Sequence, residues 1–94
     1  MSVYAISYDL NRPGQSYDAL YQEIRSFGST WHRLDSTWLV STTLSANQMS
    51  ERMKKHTDGN DRYLIIKVVN DYQGWLAKDA WDWLHTHISE RACA

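Results

Sequence analysis

The sequence predicts one small α+β domain, in which four strands and two helices follow the order βαββαβ and a further helix comes last. Its 94 residues are enough for one hydrophobic core and too few for several. Apolar residues alternate in some segments, as in strands, and recur at helical spacing in others. Clusters of Gly, Pro, Asn and Asp separate these segments and mark the turns between them.

The chain begins with a strand and a helix. Residues 3–8 alternate and are rich in strand formers, and the following Pro13 and Gly14 cannot continue a ladder. We therefore expect a polar turn after the first strand. Apolar side chains then recur at helical spacing over residues 17–27, which predicts a helix with Gly28 as its C-cap.

A hairpin and a second helix come next. Residues 30–43 are dominated by Thr, Trp, Val and Leu and are broken only at Asp35 and Ser36, which predicts two strands joined by a tight turn. Ser45 and Gln48 have the spacing of a capping box, in which each side chain bonds to the backbone of the other residue. The sequence thus predicts a helix that begins directly after this serine.

The last third of the chain predicts a turn, a strand and a terminal helix. The second helix runs to about His56 and is followed by a turn cluster over residues 57–61. Residues 63–69 form a nearly continuous β-branched run, the pattern of a central strand buried on both faces. Residues 76–87 have the spacing of an amphipathic helix that docks on the body of the domain.

This order of elements is the split βαβ, or ferredoxin-like, arrangement with an added C-terminal helix. We expect one domain over residues 1–94, with a core at residues 2–70, an extension at residues 71–88 and a frayed tail at residues 89–94. The two inner helices cover one face of the antiparallel sheet and leave the other open. Dimerisation through that face, or coverage by the terminal helix, is expected because monomers rarely expose large apolar patches.

Composition excludes several classes of protein. Ten Lys and Arg stand against eleven Asp and Glu, so no overall positive field attracts nucleic acid or anionic lipid. The single thiol, Cys93, excludes an intrachain disulfide and a cysteine metal cluster. No segment has the length of a membrane span and the N-terminus lacks the pattern of a signal peptide. We expect a cytoplasmic protein without a small-molecule cofactor.

Several short segments resemble a known group of proteins. The strand YAISYDL, the hairpin LDSTWLVST, the elements PGQ and SA, and the ND before the last strand resemble small bacterial proteins labelled SinR-family. Their relatives are the small CRISPR-associated spacer-adaptation protein and the virulence-associated protein D ribonucleases. The resemblance covers about residues 2–70 and implies a homodimer in which Asp9 lies near the two-fold axis, opposite its copy. Such paired carboxylates can hold a Mg²⁺ that activates water, which implies Asp9 as catalytic residue and metal ligand.

Four further residues are candidates for contact with nucleic acid: Asn11, Arg12, His32 and Arg33. The first two are neighbours of Asp9, and a guanidinium gives bidentate contacts to phosphate. The other two lie among tryptophans, a combination that suits stacking on bases and binding of their backbone. Each candidate has a structural alternative: Asp9 can cap the turn that follows it, the loop arginine can be solvated, and the tryptophans can belong to the sheet core or an interface.

Twelve aromatic side chains are many for a chain of this size and predict a second buried surface, which we interpret as a subunit interface. Tyr4, Tyr8 and Trp38 are assigned to it. The leading hypothesis is a homodimeric nucleic-acid-associated protein that, if catalytic, is a Mg²⁺-dependent endonuclease using Asp9 from both subunits. The alternative is a non-catalytic dimeric protein-interaction module related to toxin–antitoxin or defence systems, which the near-neutral charge favours.

Overall fold

The computed structural model describes residues 1–10 and 17–88, and within them the element order is the predicted one. The elements are β1 (Ser2–Asp9), α1 (Asp18–Arg25), β2 (Ser29–Leu34), β3 (Thr37–Thr42), α2 (Ala46–Met53), β4 (Arg62–Val68) and α3 (Lys78–Ile88). The antiparallel sheet has the strand order β2-β3-β1-β4 of a ferredoxin-like fold. The predicted turn at residues 11–14 and the predicted frayed tail lie outside the described residues.

The ends of the first two helices show one confirmed prediction and one correction. α2 begins at the predicted capping box, where Gln48 N donates to Ser45 Oγ (3.1 Å) and Ser45 N donates to Gln48 Oε1 (2.8 Å). α1 has its C-cap at Ser26 and not at Gly28. Gly28 is needed for a different reason, because a Cβ there would collide with the backbone oxygen of Ser41 on β3.

The main core lies between the sheet and the two inner helices. Its buried residues are Ile6, Leu20, Ile24, Phe27, Trp38, Val40, Met49 and Met53. Tyr4 and Tyr8 pack against this core from β1, and Trp38 of β3 is only 1% exposed within it. Strand alternation thus directs Tyr4, Tyr8 and Trp38, which the sequence assigned to a subunit interface, toward the helices of their own chain.

The opposite face of the sheet is partly covered by α3, as the amphipathic spacing predicted. Leu84 and Ile88 of α3 form a second buried cluster with Val3 of β1. The indole Nε1 of Trp31, on β2, donates to Asp79 Oδ2 at the start of α3 (3.1 Å). The helix is thus held by apolar contacts near its end and by a hydrogen bond near its beginning. No helix in the described part of the chain is long and apolar enough to cross a bilayer.

β4 departs from the prediction of a central buried strand, because it lies at the edge of the sheet beside β1. Tyr63 and Ile65 pack against the main core, whereas Leu64 and Ile66 point to the other face. These two side chains are 57% and 53% exposed, so α3 does not cover this part of the sheet. We call this uncovered area, marked by Leu64 and Ile66, the open sheet face.

Candidate functional site

Asp9 is the last residue of β1, which lies between β3 and β4 in the sheet. It is exposed and pairs across the ladder with Arg62, the first residue of β4. Directly paired residues of antiparallel strands project to the same face of a sheet. Ser7 and Leu64, the next pair on that face, connect the Asp9–Arg62 pair to the open sheet face.

The pair borders an open cleft of about 290 Å³ lined by Ser7, Tyr8, Asp9, Arg62, Tyr63 and Leu64. The guanidinium of Arg62 is positioned by the preceding turn, because its Nη1 donates to the backbone oxygens of Gly59 (2.6 Å) and Asp61 (3.1 Å). The Asp61 side chain is buried and accepts hydrogen bonds from Tyr17 Oη (2.7 Å) and Asp58 N (3.1 Å). The cleft therefore places Arg62, on a turn held by hydrogen bonds, opposite the Asp9 carboxylate at the end of β1.

Sequence reasoning missed Arg62. The residue follows a turn cluster and carries no motif of its own. Its relation to Asp9 depends on the register between β1 and β4, strands that are separated by most of the chain. Antiparallel pairing of the two predicted strands would have placed the end of β1 beside the beginning of β4, and so Asp9 beside Arg62.

The predicted metal site is represented in one chain by Asp9 alone. Among residues 1–10 and 17–88, no three His, Cys, Asp or Glu side chains are grouped closely enough to hold a metal ion. An exposed carboxylate is nevertheless the donor type that Mg²⁺ takes, since this ion commonly uses one or two carboxylates and keeps several waters. Asn11 and Arg12, the predicted neighbours of the site, lie outside the described residues.

His32 and Arg33, predicted to act together, project to opposite faces of the sheet. The imidazole of His32 stacks on Trp38 on the α1 side, with 3.9 Å between ring centroids and 8° between ring planes. The Nη2 of Arg33 lies 3.6 Å from Asp79 Oδ2 on the α3 side. Trp31 and Trp38 are 7% and 1% exposed, so neither indole is available to stack on a base. The expected joint platform is therefore not formed.

A different group of side chains gathers around Trp38. Its Nε1 donates to Tyr8 Oη (3.0 Å), and the Tyr8 hydroxyl donates to the backbone oxygen of Asp35 (3.3 Å). Burial raises the pKa of the Tyr8 hydroxyl above its ordinary value of 10.0, an effect that the hydrogen bond from Trp38 partly opposes. Tyr21 and Arg25 of α1 complete the group, with the Tyr21 ring centroid 6.0 Å and the Arg25 Cζ 5.1 Å from the indole.

An ion-pair network between α1 and the end of α2 lies apart from both groups. Glu23 Oε2 is 2.7 Å from Arg52 Nη2, and Glu23 Oε1 is 3.1 Å from His56 Nε2. The hydrogen bond with His56, assisted by Arg52, lowers the pKa of Glu23 against the opposing effect of burial. These contacts join the two inner helices and account for the polar side chains at their ends.

Comparison with known proteins supports the fold. No family model matches the chain. A crystal structure of a hypothetical protein from Thermus thermophilus is similar to it, with a TM-score of 0.62 and 19% sequence identity. The match covers 81% of this chain and 92% of that one. At this identity the likeness shows a shared fold alone.

Proposed function

We propose that this chain is a homodimeric, nucleic-acid-associated protein that cleaves phosphodiester bonds with Mg²⁺ held by Asp9 of both subunits. The observation that carries the proposal is the exposed Asp9 carboxylate at the end of β1, on the sheet face that α3 leaves open. The resemblance of YAISYDL and LDSTWLVST to dimeric nucleic-acid-associated proteins supports the same assignment.

The dimer is supported by the open sheet face. Leu64 and Ile66 are each more than half exposed, and burying apolar surface against a second copy contributes roughly 25 cal/mol per Å². Asp9 lies two residues beyond Ser7, the residue that pairs with Leu64. A two-fold contact centred near this pair would therefore bring the two Asp9 carboxylates toward each other.

The chemistry is divided between Asp9 and Arg62. Each chain contributes one carboxylate, and a pair of them suits a hard cation with oxygen ligands. A Mg²⁺ held by the two Asp9 carboxylates would supply an activated water and a positive charge beside the phosphoryl group. The guanidinium of Arg62 binds and orients the phosphate, because its planar fork donates to two phosphate oxygens at once.

The test is cleavage of single-stranded RNA and DNA by the purified chain with Mg²⁺ or with EDTA. We expect Asp9→Asn to reduce Mg²⁺-dependent cleavage at least about 100-fold, since changing even the supporting partners of metal ligands costs 10–100-fold. Asp71→Asn is the matched control, because it removes an exposed carboxylate outside the cleft. Equal cleavage by the wild type and Asp9→Asn would contradict the proposal.

A second candidate is a non-catalytic dimeric module that binds another protein. The net charge of −1 favours it, because nucleic-acid-binding domains usually carry a basic excess. This candidate predicts a dimer that neither cleaves nucleic acid with Mg²⁺ nor shifts it in a gel at low salt, where phosphate contacts are strongest.

A further inference from the structure

The group of side chains around Trp38 lies on the sheet face opposite Asp9. It consists of Tyr8, Tyr21, Arg25, His32 and Trp38, and we call it the Trp38 cluster. None of the catalytic roles proposed above uses it. Its members come from β1, α1, β2 and β3, so the cluster exists only in the folded chain.

The centre of the cluster is buried and hydrogen-bonded. Trp38 is buried and its Nε1 bonds to Tyr8 Oη, which in turn bonds to the backbone of Asp35. His32 is exposed and stacks flat on the buried indole, and its Nε2 lies 3.5 Å from Tyr8 Oη. These contacts place the imidazole over the Trp38 ring at β2, one of the two edge strands of the described sheet.

Arg25 brings a positive charge to the same indole. Its Cζ lies 5.1 Å from the Trp38 ring, and Tyr21, one helical turn earlier, lies 6.3 Å from the His32 ring. The guanidinium is exposed and makes no ion pair with a carboxylate among the described residues. A guanidinium placed over an aromatic ring keeps its N–H donors available for an anion.

Several other cations of the described residues lie beside carboxylates. Arg52 pairs with Glu23, Lys78 pairs with Asp82, and Arg33 lies near Asp79. Arg25 therefore differs from them in combining exposure, a fixed aromatic neighbour and unused donors.

We propose that the Trp38 cluster is a binding site for one nucleotide unit of a single-stranded nucleic acid. The guanidinium of Arg25 binds the phosphate, and the base stacks on the outer face of the His32 ring. Histidine and other aromatic rings are common stacking surfaces for unpaired bases, and arginine is the usual partner of phosphate. The identity of the ligand rests on the proposed nucleic-acid function, whereas the site requires no catalysis by Asp9.

The test measures binding of a fluorescently labelled single-stranded oligonucleotide by anisotropy in EDTA, where Mg²⁺-dependent cleavage is absent. Arg25→Ala should weaken binding about 10-fold, and should reduce the salt dependence of log K by about 0.7 for the one lost phosphate contact. His32→Ala should weaken binding by a similar factor, whereas His32→Phe should retain most of it because the stacking ring remains. Lys55→Ala, which removes an exposed cation outside the cluster, should change binding less than about twofold.

Titration with two different ligands distinguishes a nucleotide site from a site that binds any anion. A nucleoside monophosphate should shift the His32 ring signals in NMR spectra, and inorganic phosphate alone should leave them nearly unchanged. The inference is overturned if the wild type does not bind, if Arg25→Ala and Lys55→Ala weaken binding equally, or if His32→Phe behaves as His32→Ala. Binding that depends on Arg25 and His32 in a protein without cleavage activity would support this site while removing the proposed catalysis.

Discussion

Tyr8 and Asp9 are adjacent in the sequence and serve opposite faces of the sheet. Tyr8 lies over the helix side, where it bonds to Trp38, and Asp9 lies with Arg62 on the face that α3 leaves partly open. The same alternation separates His32 from Arg33. The side chains of strand neighbours thus point to different faces of the sheet, which separates the Asp9–Arg62 pair from the Trp38 cluster.

The Glu23 carboxylate should make the stability of the folded chain depend on pH. Because its pKa is lowered in the folded chain, its contribution to the free energy of unfolding is complete above the ordinary value of 4.5 and is lost as pH falls through the folded value. We expect Glu23→Gln to lower the free energy of unfolding by about 1 kcal/mol at neutral pH, since charge-assisted contacts are lost. The difference from wild type should shrink in acid, as measured by urea unfolding.

The matched control for this prediction is Glu51→Gln. Glu51 pairs with Lys54 at 3.2 Å, but both side chains are more than 60% exposed, and such surface pairs contribute little. This variant should change the free energy of unfolding by less than about 0.5 kcal/mol at either pH. A loss in Glu23→Gln that is the same at neutral and acid pH would contradict the account of the network.

Each element was predictable where its signal is local. The capping box placed the start of α2, the polar pair Asp35–Ser36 placed the hairpin turn, and the apolar spacing of the last segment placed α3. The faces and neighbours of strands were less predictable, because alternation gives two faces without saying which one the helices cover. Tyr4 was therefore assigned to an interface, and β4 was predicted to be central although it is an edge strand.

The candidate site was predictable only where its residues carry a local signal in the sequence. A strand-end carboxylate is visible in the sequence, and Asp9 is the last residue of β1. Arg62 and Arg25 are brought to their sites by a strand register and by helix packing, which depend on contacts between distant segments. Neither kind of contact leaves a local pattern in one sequence.

Gly28 lies between α1 and β2, and its small size allows the chain to approach β3 closely. A Cβ added there would collide with the backbone oxygen of Ser41, and the backbone cannot rotate away as a side chain can. We expect Gly28→Ala to lower the free energy of unfolding by about 2 kcal/mol, the usual range for forced overpacking. Gly59→Ala is the control, since no atom lies within 4 Å of its added Cβ. Equal stability of both variants in chemical denaturation would show that β2 and β3 do not approach as described.

The whole molecule is expected to be a dimer through the open sheet face. Light scattering should return twice the 11.0 kDa mass of one chain for the wild type. Ile66→Glu should return the mass of one chain without unfolding it, because Ile66 is 53% exposed in the monomer. Leu34→Glu, at 42% exposure on the opposite edge strand, should leave the dimer intact. A dimer that persists in Ile66→Glu would mean that the subunits meet elsewhere.

The proposed catalytic centre needs Asp9 from two subunits, and mixing of subunits tests this requirement most directly. Wild-type and Asp9→Asn chains are mixed in known proportions, exchanged to equilibrium and assayed for Mg²⁺-dependent cleavage. In a two-fold dimer with one shared centre, activity should follow the square of the wild-type fraction, giving about one quarter of full activity in an equal mixture. Activity proportional to the wild-type fraction, or about one half in the equal mixture, would show that each chain acts alone and would contradict the account.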